Sequence, residues 1–212
     1  MRKEELYQVS TLATFQNRGY DGQLSIRRML EFGNTGFGTF HGLNGEMIVV
    51  GGVVYRALGD CTLEAVKDSE TTPFATLGFL GKKAPVVLDV YGNLTALKES
   101  LDDVIGDQQK LILSQISGVF EKIAIHSVWP QTKPYDELKK IVDDQDIYIY
   151  ENIEGTLVGV HCPQSAEGFN VLGWHFHFIS EDRQIGGHVN GLFAHKIEFI
   201  YDEKEVLTII EA

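Results

Sequence analysis

The chain is poor in cysteine: Cys61 and Cys162 are the only two among 212 residues. Two thiols so far apart make no disulfide framework, and reduced thiols in the cytoplasm are expected. Long hydrophobic runs are also missing. No stretch approaches the roughly 18 apolar residues that a membrane helix needs. The opening Met1-Arg-Lys-Glu-Glu-Leu-Tyr7 has no apolar run behind its basic residues, so neither a signal peptide nor an anchor is expected, and the location is read as cytoplasmic. Positive charge is scarce: 18 Lys and Arg against 30 Asp and Glu leave a net charge of −12. Such a balance repels phosphate backbones and anionic membranes, which argues against nucleic acid and membrane as partners. A small anionic ligand stays admissible, because a buried cation inverts the field locally. Repeats, low-complexity tracts and clear linkers are absent. With 43% hydrophobic residues the chain has the means for a real core, and residues 1–212 are read as one unit.

What is present alternates between short helical and longer strand signals. The first helix is expected over 6–17, although Ser10 and Thr11 interrupt it. Ser25 suits an N-cap for a second helix over 26–32 that ends at Gly33. From Gly36 to Tyr55 the pattern turns to strands joined by tight turns, including Asn44-Gly45. Segments 76–79 and 85–90 continue it. Residues 97–105 have helical spacing, with Leu97, Leu101, Val104 and Ile105 on one face and Asp102 and Asp103 outward. Strand returns over 112–125. The run Trp129-Pro-Gln-Thr-Lys-Pro134 suggests a seam between two lobes, near 121–135, before a short helix over 135–142. Strands are then expected over 147–151, 156–160, 174–179, 185–193 and 205–210. The class is α+β, with two mixed or antiparallel β-sheet lobes and a few short helices.

Three of the seven histidines fall between 175 and 188. In Trp174-His-Phe-His-Phe178, strand alternation puts His175 and His177 on one face and the three aromatic residues on the other. The polar run Ser180-Glu-Asp-Arg-Gln184 suits a turn. If residue 180 pairs with 185, then 177 faces 188. Directly opposed Cβ atoms lie about 4.5–5.5 Å apart, so three imidazoles would share one hairpin face. Gly186 and Gly187 are expected to leave room beside His188. Three neutral imidazoles suit zinc, and a site with three protein ligands keeps a position open for water or substrate. A rival reading is the first cupin motif, His175-x-His177-x-x-x-Glu181. It fails on its glycines, since Gly168 lies one residue too far away and the glycine expected after Glu181 is missed by one.

The stretch from Val158 to Val189, which contains Val158-Gly-Val-His-Cys-Pro163 and Gly186-Gly-His-Val189, resembles the metal-binding segment of the acetolactate decarboxylase family. Leu6-Tyr-Gln-Val-Ser-Thr-Leu12, Gly19-Tyr-Asp-Gly22, Gly36-Phe-Gly-Thr-Phe40, Leu43-Asn-Gly-Glu46 and Thr72-Pro-Phe-Ala75 resemble further family motifs, in the family's order. The resemblance runs from about residue 6 to residue 190. It implies two β lobes, a homodimer, and zinc (Zn2+) held by His175, His177 and His188. It also implies decarboxylation of acetolactate, an anionic hydroxy-keto acid, to acetoin and carbon dioxide, with Glu46 as the catalytic glutamate beside the metal.

Two positions depart from the family pattern. Its arginine, in a Thr-Arg-Thr-Val motif, aligns with His126 in Ile125-His-Ser-Val128. His126 could hold a substrate carboxylate only when protonated; Lys133 or Arg56 are the alternative cations. The family's second glutamate, from a C-terminal segment, has only Glu211 as a candidate counterpart. The departures leave two other readings open: a zinc-holding module that binds a small hydroxy-keto acid without turnover, or a lyase acting on a related 2-hydroxy-3-keto acid.

Overall fold

The computed structural model describes residues 4–211. The chain runs β1 (Glu5–Val9), α1 (Leu12–Gln16), β2 (Leu24–Ser25), α2 (Ile26–Met29), β3 (Thr35–Thr39), β4 (Glu46–Val50), β5 (Val53–Ala57), β6 (Leu63–Ala65), β7 (Thr71–Thr72) and β8 (Ala75–Gly78). It continues through β9 (Val86–Asn93), α3 (Leu94–Ile105), β10 (Leu111–His126), α4 (Leu138–Asp143), β11 (Tyr148–Cys162), β12 (Gly173–Ser180), β13 (Gly186–Lys204) and β14 (Val206–Ile210). Two large sheets and a two-stranded ribbon of β2 and β7 result, and the fold is α+β. The first has seven strands in the order β14-β1-β8-β3-β4-β5-β6; the second runs β10-β11-β12-β13-β9. Because β10 pairs with both β11 and β13, strands β10 to β13 close into a circuit.

Two of the helices follow from local chemistry. Ser25 Oγ accepts from the Arg28 N–H and starts α2. Asn93 caps α3, and Gly106 ends it at φ +67°, a left-handed turn where a side chain is strained. The buried face of α3 is Leu97, Leu101 and Ile105, as its spacing predicts. It packs into the second sheet's core among Ile116, Phe120, Phe178 and Phe199. Asp102 is not simply outward: it accepts a 2.7 Å hydrogen bond from Trp174 Nε1 and so ties α3 to β12. A separate cluster joins the two sheets, with Leu6, Phe37 and Ile48 against Leu113, Val158 and Ile179.

Three expectations change. The helix expected over 6–17 is a strand followed by a short helix, because residues 6–9 pair with β8 on one side and β14 on the other. Strands 147–151 and 156–160 are one strand, β11, held continuously along β10. Strand 185–193 extends to Lys204, since β10 and β9 supply partners along it. Within the suggested seam, residues 121–126 belong to β10. The connection that follows lies against loops of the first sheet: the Gln131 N–H donates to the Gly42 carbonyl at 2.6 Å, and Lys133 pairs with Asp21. Both cysteines are free and buried, and burial pushes each thiol up to about 12. Among the described residues no helix is long and apolar enough to cross a membrane.

Candidate active site

The β12–β13 hairpin has the register that its turn length implies. Ser180 N–H donates to the Ile185 carbonyl, and Ser180 Oγ accepts from the N–H groups of Gln184 and Ile185. With the turn pinned in this way, His177 faces His188. Trp174, Phe176 and Phe178 go into the core of the second sheet. His175 and His177 therefore take the opposite face, toward the first sheet, where Phe37 packs at 4.4 and 4.6 Å between ring centroids. Gly186 and Gly187 serve close approach rather than room beside His188. A Cβ at Gly186 would stand 2.7 Å from Ile48 Cδ1, and one at Gly187, whose φ is +159°, 2.5 Å from the His126 carbonyl oxygen.

One donor nitrogen from each of His175, His177 and His188 can be chosen so that all lie within 4.8 Å of one another. His175 Nε2 is 3.0 Å from His188 Nδ1. His177 Nδ1 is 3.0 Å from the Met47 carbonyl oxygen. The carbonyl can only accept, so Nδ1 carries the proton and Nε2 keeps the lone pair. Burial holds His175 down to about 3 and both other imidazoles well below their ordinary value, so all three are neutral near neutral pH. His175 Nδ1 is buried without a partner. Neutral, clustered and under-satisfied imidazoles fit a metal ion, and a set of three nitrogens fits zinc.

Glu46 arrives from the other sheet. Its Oε2 lies 3.6 Å from His177 Nε2, and its side chain is 14% exposed. Burial pushes its carboxyl up to about 8. Ser127 positions it: Ser127 Oγ donates to the Ala57 carbonyl at 2.7 Å and accepts from the Glu46 N–H at 3.1 Å. A cavity of about 200 Å³ joins Glu46, His126 and the three histidines, with Phe15, Phe74 and Val171 among its apolar walls.

His126 is in the cavity wall, as its alignment implies, with its ring 4.7 Å from that of His188. Its Nδ1 is 2.6 Å from Asn190 Oδ1, so Nδ1–H donates and Nε2 is the acceptor in the neutral ring. Burial lowers its pKa, the hydrogen bond to Asn190 opposing this in part. Neither suggested replacement cation lines the cavity. Arg56 pairs with Glu64 and Glu70 and sits 4.2 Å over the Phe40 ring; Lys133 pairs with Asp21 on the surface. Glu211 is exposed beyond β14 and is not part of the cavity wall. Glu181 is exposed in the hairpin turn, which removes the cupin-like reading. Sequence reasoning did not single out Phe37 as a packing partner of the histidines, Asn190, or Gln145, which also lines the cavity.

Fold and site together define an α+β protein built on two large sheets, with a cavity that joins three histidines to a glutamate. The alpha-acetolactate decarboxylase family model matches residues 6–210. A curated alpha-acetolactate decarboxylase of Methanosarcina mazei is 37% identical over 191 residues, which are 90% of this chain and 66% of that protein. The one from Bacillus licheniformis is 34% identical, over 92% of this chain and 76% of its own. The crystal structure of alpha-acetolactate decarboxylase from Bacillus subtilis strain 168 superposes with a TM-score of 0.93 at 29% identity, covering 97% of this chain and 88% of that one. The chain belongs to the alpha-acetolactate decarboxylase family.

Proposed function

We propose that this protein is a cytoplasmic carboxy-lyase that converts acetolactate (2-hydroxy-2-methyl-3-oxobutanoate) to acetoin and carbon dioxide, with zinc as its metal. The observation that carries the reading is the contact between Glu46 and His177 in a largely apolar cavity, in a chain that matches the family over nearly its whole length.

In the reaction the bond between the carboxylate and the hydroxyl-bearing carbon breaks. Its electron pair moves toward the neighbouring ketone, and that carbon then takes a proton. His175, His177 and His188 would hold the zinc, which supplies Lewis-acid stabilisation of negative oxygen when bound. The residues of the chain do the rest. Met47 fixes the tautomer of His177 through its carbonyl. Among the described residues Glu46 is the one carboxylate side chain in the cavity wall, so the proton delivered to carbon falls to it. It stands on one side of the cavity, from β4, so delivery comes from one face and yields one acetoin enantiomer. Phe37, Phe74 and their apolar neighbours line the cavity with low-polarity surface, which strengthens charge interactions beside them.

A binding module without turnover is favoured by one observation only, the lack of a lysine or arginine in the cavity wall. Carbon dioxide release separates the readings. Zinc-loaded protein should release it from acetolactate well above the uncatalysed rate, chelated protein should not, and added zinc should restore it. Release no faster than in buffer would overturn the decarboxylase reading.

A further inference from the structure

An anionic substrate in this cavity meets an unusual wall. Among the described residues no lysine or arginine lines it, and the Nδ1 proton of His126 is spent on Asn190. Beside the histidines and Glu46, one further polar side chain in the wall is unspent. Gln145 follows the end of α4, with its backbone N–H turned to the Val142 carbonyl. Its side-chain Nε2 and Oε1 are both buried, and neither has a hydrogen-bond partner. A carboxamide offers two donors and an acceptor with two lone pairs. Burying all of them unmet is costly, and in native proteins such exceptions mark a missing water, ion or ligand. An uncharged N–H facing a carboxylate makes a charge-assisted hydrogen bond, stronger than its neutral counterpart.

We propose that Gln145 binds the substrate carboxylate through its Nε2 hydrogens, in the role a cationic side chain would otherwise fill, and so selects hydroxy-keto acids over neutral hydroxyketones. The inference rests on the reading that the cavity accepts an acetolactate-like anion. Gln145 also borders a second cavity behind α4, lined by Ser127, Gln131 and Lys140. Water there would satisfy the amide with no part in substrate binding, and the test distinguishes the two.

The experiment is calorimetric titration of zinc-loaded wild type, Gln145→Leu and Gln145→Glu with two probes. One is 2-hydroxy-2-methylbutanoate, which has the carboxylate and hydroxyl but no ketone to drive loss of carbon dioxide. The other is acetoin, which is neutral. Gln145→Leu should bind the acid about tenfold more weakly or worse, with acetoin unchanged. Gln145→Glu, close to isosteric, should also bind the acid more weakly wherever its carboxyl is ionised, through like-charge repulsion. The KM for acetolactate should rise in both variants. Equal affinity of wild type and Gln145→Leu for the acid would overturn the proposal. So would equal losses for acid and acetoin, which would mark a packing defect, or a wild type that does not bind the acid. A protein that binds the acid through Gln145 yet releases no carbon dioxide would refute the decarboxylase reading and leave this inference standing.

Discussion

Glu46 and His177 come from different sheets, and their side chains meet with Oε2 3.6 Å from Nε2. Neither sheet makes the site alone. The hairpin supplies the imidazoles, β4 supplies the carboxyl, and Ser127 and the Met47 carbonyl tie the two together. The proposed division of labour, imidazoles for metal and carboxyl for proton, can be tested one residue at a time.

Replacing His177 removes the ligand whose tautomer is fixed by Met47. His177→Ala should lose most of its zinc, whereas wild type should hold about one ion per chain. Elemental analysis of purified protein checks this. Equal metal in both proteins would end the ligand assignment.

Glu46→Gln keeps the shape of the side chain and removes proton transfer. We expect zinc content near that of wild type and acetoin formation lowered at least a hundredfold, the scale of one lost acid–base group. Normal turnover would remove Glu46 from the mechanism.

His126 lies in the cavity without a charge near neutral pH, since burial lowers its pKa. His126→Arg supplies a permanent planar cation suited to a carboxylate. The expected result is a higher kcat/KM for acetolactate, because that ratio reports transition-state contacts relative to free substrate. A folded, zinc-loaded variant no faster than wild type would show that the position does not reach the carboxylate.

The histidine cluster also predicts how metal-free protein responds to acid. Folded-state pKa values below the ordinary 6.5 mean that the unfolded chain binds protons which the folded chain refuses. Stability is therefore complete above about pH 6.5 and falls as pH drops below it, down to about 3 for His175. Each such histidine adds up to about 1.4 kcal/mol per pH unit to the slope. Glu46 acts in the opposite sense: its raised pKa favours the fold at low pH and costs stability as pH rises from 4.5 toward 8. Urea melts of chelated protein between pH 7 and 5 should show falling stability, with a shallower slope in His175→Ala. An unchanged slope would contradict the buried, neutral cluster.

The histidine register was legible because two simple periods meet there. Strand alternation fixes the face, and a short polar turn fixes the pairing, so His177 opposite His188 follows by counting. The three histidines and Glu46 were also marked by family resemblance, but the burial of Glu46 arises only where the sheets meet. Residues 6–9 were misread because a short apolar run carries no period of its own. Their partners lie far off in the chain, at 75–78 and 207–210. Nothing in the sequence separates Gln145 from any polar residue after a helix; only its position in the cavity wall with unmet hydrogen bonds does so.

Chirality of the product tests the central claim most directly. Acetolactate loses carbon dioxide slowly without a catalyst, and a proton then reaches the carbon from either face. With Glu46 delivering from one side of the cavity, early acetoin resolved by chiral gas chromatography should be a single enantiomer, formed faster than in buffer. Racemic acetoin appearing at the buffer rate would contradict the account.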